Sequence, residues 1–303
     1  MKKIVYMGTP EYASIILDAI ISSSKFDVVL VITQPDRPVG RKQELLPSPV
    51  KSLAIEHNID ILQPNNLREA GIYEAISNFK PDFIVVAAFG QILPSNILDI
   101  APCINLHASL LPLYRGASPV QHALLNGDSF TGITAMLMEE GLDSGPILGY
   151  RYFKIPSTML VDELMSKLSY DAALITIETL MNYEKLSPIA QTKAASTHCK
   201  KIKKEDGLID FENATELYNK FKAYHGWPDI FLANGLKLLD IELVDLEGTR
   251  TAGKILNIEN ESVTISCTTG TIKIKTLQPT SKKAMSAKSY LLGRGLKVGD
   301  NLL

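Results

Sequence analysis

Residues 3–33 read KIVYMGTPEYASIILDAIISSSKFDVVLVIT. The two runs at 3–7 and 28–33, apolar apart from Lys3 and Thr33, have the length of strands, and neither shows the polar alternation of a half-solvated one, so both read as buried. Between them, Gly8-Thr9-Pro10 makes a turn, and residues 11–22 put Tyr12, Ile15, Ile16 and Ala19 on one side of a helix. Strand, helix, strand is the opening of a βαβ unit. No Gly-x-Gly-x-x-Gly follows the first strand, so a dinucleotide (NAD) site gains no support and Gly8 reads as a turn glycine.

The alternation continues along the chain. Residues 50–57 and 67–78 suggest helices, 83–88 a continuous apolar strand, 119–126 a short helix and 131–138 another strand. Residues 162–183 form a long amphipathic pattern, with Leu164, Leu168, Ala172, Ile175, Leu180 and Met181 on or near one stripe and its Met and Tyr residues read as core. Such an order argues an open α/β sheet. Beyond a helix near 215–224 the character changes to short β-like runs at 230–233, 237–244, 253–258, 262–267 and 271–277, which suggest a small β-barrel. The expected organisation is therefore a catalytic domain over 1–184, a basic linker over 185–206 and a β domain over 207–303. Trp227, the single tryptophan, reads as an anchor between elements.

At 303 residues, with 46% hydrophobic and 21% charged residues, the chain has the make-up of a two-domain globular protein with ample core. The first apolar run is too short for a signal peptide, and no stretch approaches membrane-spanning length. Three cysteines without partner spacing suit a reducing cytoplasm. The net charge of −2 hides an asymmetry: residues 185–204 carry six Lys and no acid, and residues 262–299 carry seven basic residues and no acid. Setting those thirteen aside leaves 18 basic against 33 acidic residues, a net of −15 for the rest. Either run alone reads as a solvated face, and Lys273 and Lys275 alternate as an outward strand face would. Together they shift the expectation toward a phosphate backbone as partner.

The chemistry concentrates between residues 105 and 143. In an extended Ile104-Asn105-Leu106-His107, Asn105 and His107 share one face and the two aliphatic residues the other. Two donors on one strand face can converge on one oxygen, as a tetrahedral acyl-transfer intermediate requires. Asp143, between Gly141 and Gly145, is placed to return to the imidazole and favour its charged form, giving an oxyanion site with a proton shuttle. Each residue alone reads sooner as a satisfied core group, a cap or an Asx turn than as a catalytic group. Neither Gly-x-Ser-x-Gly nor His-Glu-x-x-His occurs, and Cys103, Cys199 and Cys267 are isolated, so neither a covalent nucleophile nor a metal site is expected.

The run Asn105-x-His107-x-Ser109-Leu110-Leu111-Pro112, followed by Tyr114-Arg115-Gly116-Ala117-x-Pro119 and by Asp143, resembles the signature of the folate-dependent formyltransferases. Gln34-Pro35-Asp36-Arg37-Pro38-x-Gly40-Arg41, Pro47-Ser48-Pro49-Val50-Lys51 and Gln278-Pro279-x-x-Lys282-Lys283-Ala284-Met285 resemble the branch that acts on methionyl-tRNA, and the similarity spans nearly the whole chain. The resemblance implies a Rossmann-like open-sheet N-terminal formyltransferase domain followed by an OB-like C-terminal barrel. It also implies transfer of a formyl group from 10-formyltetrahydrofolate to the amino group of methionine on initiator Met-tRNA. Asn105, His107 and Asp143 fall on the family's catalytic positions and Ser109, Leu110, Leu111 and Pro112 on its folate-contacting segment. Phe89, Gly90, Gln91, Ile92 and Leu93, after an apolar strand, are expected to line the pterin.

The Pro-rich stretch 34–51 is implied to meet the tRNA acceptor end through Arg37, Arg41 and Lys42, although it continues Gln43-Glu44, less basic than the family pattern. Lys200, Lys201, Lys203, Lys204, Lys282 and Lys283 are the further tRNA contacts expected. Two alternatives stand beside this reading. A formyltransferase for a small amine, such as a glycinamide ribonucleotide or an amino sugar, has no evident need of the basic final third. A noncatalytic RNA-binding protein would leave the Asn, His and Asp set without a purpose.

Overall fold

The computed structural model describes residues 1–39 and 44–302. The chain divides into two compact units. The first is made of Met1–Pro119, Phe130–Ile155 and Glu163–Lys200. Its seven-stranded sheet has β1 (Lys2–Gly8), β2 (Phe26–Ile32), β3 (Ile61–Leu62), β4 (Phe83–Ala87), β5 (Cys103–His107), β6 (Phe130–Leu137) and β7 (Ile147–Lys154), in the spatial order β7-β6-β5-β4-β1-β2-β3. From β3 to β5 all pairings are parallel, while β6 and β7 run antiparallel. This is a Rossmann-like mixed sheet whose strand order reverses between β1 and β4. In such sheets the ligand cleft opens beyond the carboxyl ends of the strands flanking the reversal.

Helices α1 (Glu11–Ser22), α2 (Pro49–Glu56), α3 (Ile72–Ser77) and α4 (Ser95–Leu98) occupy the first half of the chain. Val5, Met7, Leu30, Ile32, Ile84 and Val86 form the heart of one apolar cluster. These are the runs that read as continuous apolar strands, and covering both faces of a parallel sheet is why they lack alternation. The helix expected over 67–78 is confined to Ile72–Ser77. Leu67 donates its N–H to the Gln91 side chain, and Asn66 and Glu69 close a tight turn, so the backbone groups ahead of Gly71 are already occupied. Strand β7 and the helix α8 (Ala287–Arg294) lie where no element was expected.

Helix α6 (Val161–Asn182) buries Leu164, Leu168, Ala172, Ile175 and Leu180. Tyr170 and Met181, read as core, are exposed. Residues 189–200, in the expected linker, are tied into the first unit. Ile189 pairs with Ile147, and His198–Cys199 forms a short parallel ladder with Arg115–Gly116.

The second unit is Val120–Ser129, Pro156–Asp162 and Lys201–Leu303. It holds most of α5 (Pro119–Leu125), α7 (Ala214–Tyr224), α8 and an antiparallel sheet. Strands β8 (Ile230–Phe231), β9 (Lys237–Thr249), β10 (Ile255–Glu259), β11 (Ser262–Ser266) and β12 (Thr269–Gln278) follow the order β8-β9-β12-β11-β10, with β13 (Met285–Ser286) on β12. Asn213 caps α7 by accepting from the N–H groups of Thr215 and Glu216. Trp227 is 58% exposed and is not the buried anchor expected. No described helix is long and apolar enough to cross a membrane.

Candidate active site

Strand β5 is buried on both faces: Ile104 and Leu106 bury aliphatic side chains on one side, while Asn105 and His107 bury polar groups on the other. A buried amide and imidazole need partners. The 138–146 connection between β6 and β7 supplies one carboxylate to both. Asn105 Nδ2 donates to Asp143 Oδ1 at 3.3 Å, and His107 Nδ1 lies 3.7 Å from Asp143 Oδ2. The three residues that the spacing alone could not join do meet.

The imidazole is oriented from its other side. Its Nε2 is 2.9 Å from the Tyr114 carbonyl oxygen. A carbonyl can only accept, so Nε2 carries the hydrogen and Nδ1 is the nitrogen turned to Asp143. At 3.7 Å that contact supplies charge rather than a hydrogen bond, and Nδ1 stays available to a third group. Tyr114 reaches this position because the chain after β5 folds back tightly. Ser109 N–H donates to His107 O, Ser109 Oγ to Leu113 O, and Tyr114 itself takes a φ of 58°.

Asp143 is held in turn by the chain around it. Gly116 N–H donates to Asp143 Oδ2 at 2.8 Å. Gln191 Nε2 donates to the Asp143 and Gly145 carbonyl oxygens at 2.9 and 2.8 Å, and its Oε1 accepts from Arg115 Nε and Nη2 at 3.1 and 2.7 Å. At Gly145 a Cβ would lie 1.9 Å from the Leu137 carbonyl oxygen, so only glycine lets the loop come this close. Among the described residues no cluster of His, Cys, Asp and Glu is arranged to hold a metal ion.

A family model for the formyl transferases matches residues 2–180, and one for their C-terminal domain matches residues 201–295. Over 301 residues the chain is 58% identical to a methionyl-tRNA formyltransferase of Sulfurovum sp. (strain NBC37-1), with 99% of each chain covered. It is 54% identical over 304 residues to a methionyl-tRNA formyltransferase of Campylobacter lari, with 100% of each covered. The chain belongs to the methionyl-tRNA formyltransferase family. Among solved structures, an N-formyltransferase from Helicobacter canadensis in complex with folinic acid and dTDP-3-aminofucose shares its fold. The TM-score there is 0.69 at 18% identity, covering 90% of this chain and 99% of that one.

In this formyltransferase chain the segments expected to line the folate divide by side chain. Phe89 and Leu93 belong to the apolar core, and the Gln91 amide is committed to Leu67 N–H and the Pro64 carbonyl. Ile92, 75% exposed, and the backbone around Gly90 are what that loop presents. Ser109 and Leu111 are buried, whereas Leu110 and Pro112 are partly exposed. The loop begins at the carboxyl end of β4 and the 109–112 segment follows that of β5, each offering apolar side chains beside backbone polar groups. That donor set fits a pterin, which needs an apolar slot and a few main-chain partners.

Of the residues expected to meet RNA, Arg41 and Lys42 lie outside the described residues. Arg37 is exposed in a three-residue strand, Arg37–Val39, which pairs with Glu44–Leu46. Lys200, in the first unit, and Lys201, Lys203 and Lys204, in the second, are all exposed, as are Lys282 and Lys283. Of these only Lys203 has an ion-pair partner among the described residues, Glu205 at 3.9 Å. Lys273 and Lys275 instead pair with Glu259 and Glu242, as an ordinary outward strand face does. Tyr114, Arg115 and Gln191 had no expected role. Tyr114 and Arg115 stand in the quoted signature, but Gln191 carries no local signal.

Proposed function

We propose that this chain transfers the formyl group of 10-formyltetrahydrofolate to the amino group of methionine carried on initiator tRNA, in the cytoplasm. The observation that carries the chemical part is the Asp143 carboxylate lying between the Asn105 amide and the His107 imidazole beyond β5. The methionyl-tRNA part is supported by similarity over the whole length to proteins of that name.

The residues divide the work as follows. Asn105 uses one amide hydrogen on Asp143 and keeps a second for the oxygen of the formyl group, which becomes an oxyanion as the amine attacks. His107, fixed by Tyr114, turns Nδ1 toward the same place. There it donates to the developing charge or carries the proton lost by the amine, with the Asp143 carboxylate 3.7 Å away. The loop 89–93, mainly through Ile92 and its backbone, and the segment 109–112 hold the pterin. We assign catalysis to a domain over 1–184. The basic segment 185–206 and a C-terminal domain over 207–303, which we read as OB-like, engage the tRNA with Lys200, Lys201, Lys203, Lys204, Lys282 and Lys283. Arg37, Arg41 and Lys42 meet its acceptor end.

The test is turnover of purified protein with 10-formyltetrahydrofolate and, separately, Met-tRNA, free methionine or a small phosphorylated amine. Formylation of Met-tRNA is expected, and formylation of only a small amine would refute the assignment. His107→Ala should lower the rate by at least ~100-fold.

A further inference from the structure

We propose that Gln191 is the positioning residue of the active site, setting the Asp143 carboxylate from the segment that otherwise reads as a linker; the inference rests on the role given to Asp143 above. Asp143 sits on backbone that does not hold itself: its φ is 48°, in the left-handed region, and Gly141 and Leu142 before it are exposed. The amide of Gln191 supplies what that loop lacks. Its two hydrogens go to the carbonyl oxygens of Asp143 and Gly145, and its oxygen accepts two N–H groups of Arg115, a side chain that is only 7% exposed. All four hydrogen-bonding positions of the amide are thereby filled.

The orientation of that amide is forced. Arginine can only donate and carbonyls can only accept, so the flipped amide would lose every partner. The contacts also close a ring. From Asp143 main chain they run through Gln191 to the Arg115 side chain, along the backbone to Gly116 N–H, and back to Asp143 Oδ2. The carboxylate and its own backbone are thus referenced to one short segment, 115–116, and that segment is tied to 197–199 by Arg115 N–H to Thr197 O and by the ladder with His198–Cys199. Gln191 is anchored from the other direction by the Ile189–Ile147 pairing. Without the amide, the ring opens at the bonds that fix the main chain of Asp143, while Gly116 still binds its carboxylate.

Gln191→Glu isolates this function. The new carboxylate keeps the side-chain length and the Arg115 partner, but it sets oxygen against the Asp143 and Gly145 carbonyl oxygens, with no hydrogen to share. The expected result in the full-length enzyme is a fall in kcat of about 10-fold or more, because small misplacements of a catalytic group are costly. KM for folate donor and for Met-tRNA should stay within about twofold. In the Asp143→Asn background the same change should cost less than about twofold, since there is no carboxylate left to position. A purely architectural role would instead multiply through both backgrounds, and that result overturns the proposal, as does unchanged kcat for Gln191→Glu alone. If Gln191→Glu does not fold, Gln191→Met, of similar length and without strong hydrogen-bonding groups, gives the same cycle, and the same two results support or overturn the proposal. Unchanged turnover of Asp143→Asn by itself overturns the role of Asp143, a failure distinguishable from one in which Asp143 matters and Gln191 does not.

Discussion

Gly116→Ala is the substitution whose cost can be worked most directly from the structure. Gly116 has a φ of 118°, and a Cβ there would stand 2.4 Å from the Cys199 carbonyl oxygen. That oxygen cannot swing away, because it accepts from Ala117 N–H at 3.2 Å and its strand pairs with 115–116. Relief therefore means separating 115–116 from 198–199, which pulls Gly116 N–H off the Asp143 carboxylate. Holding alanine in a region it rarely adopts costs about 1–3 kcal/mol. A hydrogen bond to a charged group contributes about 1.5–3 kcal/mol. Relieving the first sacrifices the second, so the two do not simply add, and a net loss of about 2–4 kcal/mol is expected. Urea unfolding with an unchanged slope measures it as a shift in midpoint. Gly295→Ala is the control: φ there is 70°, but a Cβ meets nothing within 4 Å, so only the conformational part remains, about 1–2 kcal/mol. Turnover of Gly116→Ala should also fall by ~10-fold or more, since the carboxylate loses a fixed donor. A loss below about 1 kcal/mol with turnover within twofold of the parent would refute the reasoning.

Alanine at Lys200, Lys201, Lys203 and Lys204 should weaken Met-tRNA binding and flatten the plot of log affinity against log salt by roughly 0.7–0.9 for each phosphate no longer neutralised, whereas Lys273→Ala and Lys275→Ala should change the slope little. Filter binding across a salt series checks both; equal effects from the two sets would contradict the assignment. Ile84→Ala, at a side chain with 0% exposure in the apolar cluster, should cost about 2–5 kcal/mol in urea unfolding. Burial pushes the Cys103 thiol up to about 12. In the native protein at pH 8 it should react with a thiol reagent more than ~100-fold slower than in the unfolded chain. The sign of the linkage follows: the contribution of this neutral thiol to stability is complete below the ordinary thiol pKa and is lost as pH rises through about 12. Rapid native labelling of Cys103 at pH 8, followed by peptide mapping, would exclude that burial.

The parts of the fold that could be read in advance are those where burial is uniform. Residues 4–7, 28–32 and 83–88 are apolar throughout because both faces of the sheet are covered there, and α6 showed its stripe because one side faces solvent. Strand β7 was missed although its burial alternates from Gly149 onward, because its outward Tyr150 and Tyr152 are large and aromatic and blur the polar half of the pattern. Helix α3 came out short because Leu67 N–H is taken by Gln91, a contact 24 positions away. In the site, alternation placed Asn105 and His107 on one face correctly. The roles of Tyr114 and Gln191 depend on a carbonyl and an amide brought in by the folding of loops, and no periodicity records that. Gln191 lies 48 positions from Asp143 and is an ordinary residue in an ordinary Lys-rich stretch.

The membership of Val120–Ser129 in the second unit has a consequence for how the molecule is made. Val120, Ala123 and Leu124 are buried, the Leu125 carbonyl accepts from Asn219, and Gly127 packs beside the same side chain. A ribosome releases these residues well before Asn219 exists. The segment must therefore wait for that contact while the rest of the chain is synthesised, an interval in which its apolar side chains are something for chaperones to hold. The same interleaving means that no single cut separates the two units, so a fragment beginning at Lys201 would be missing a piece of its own interior.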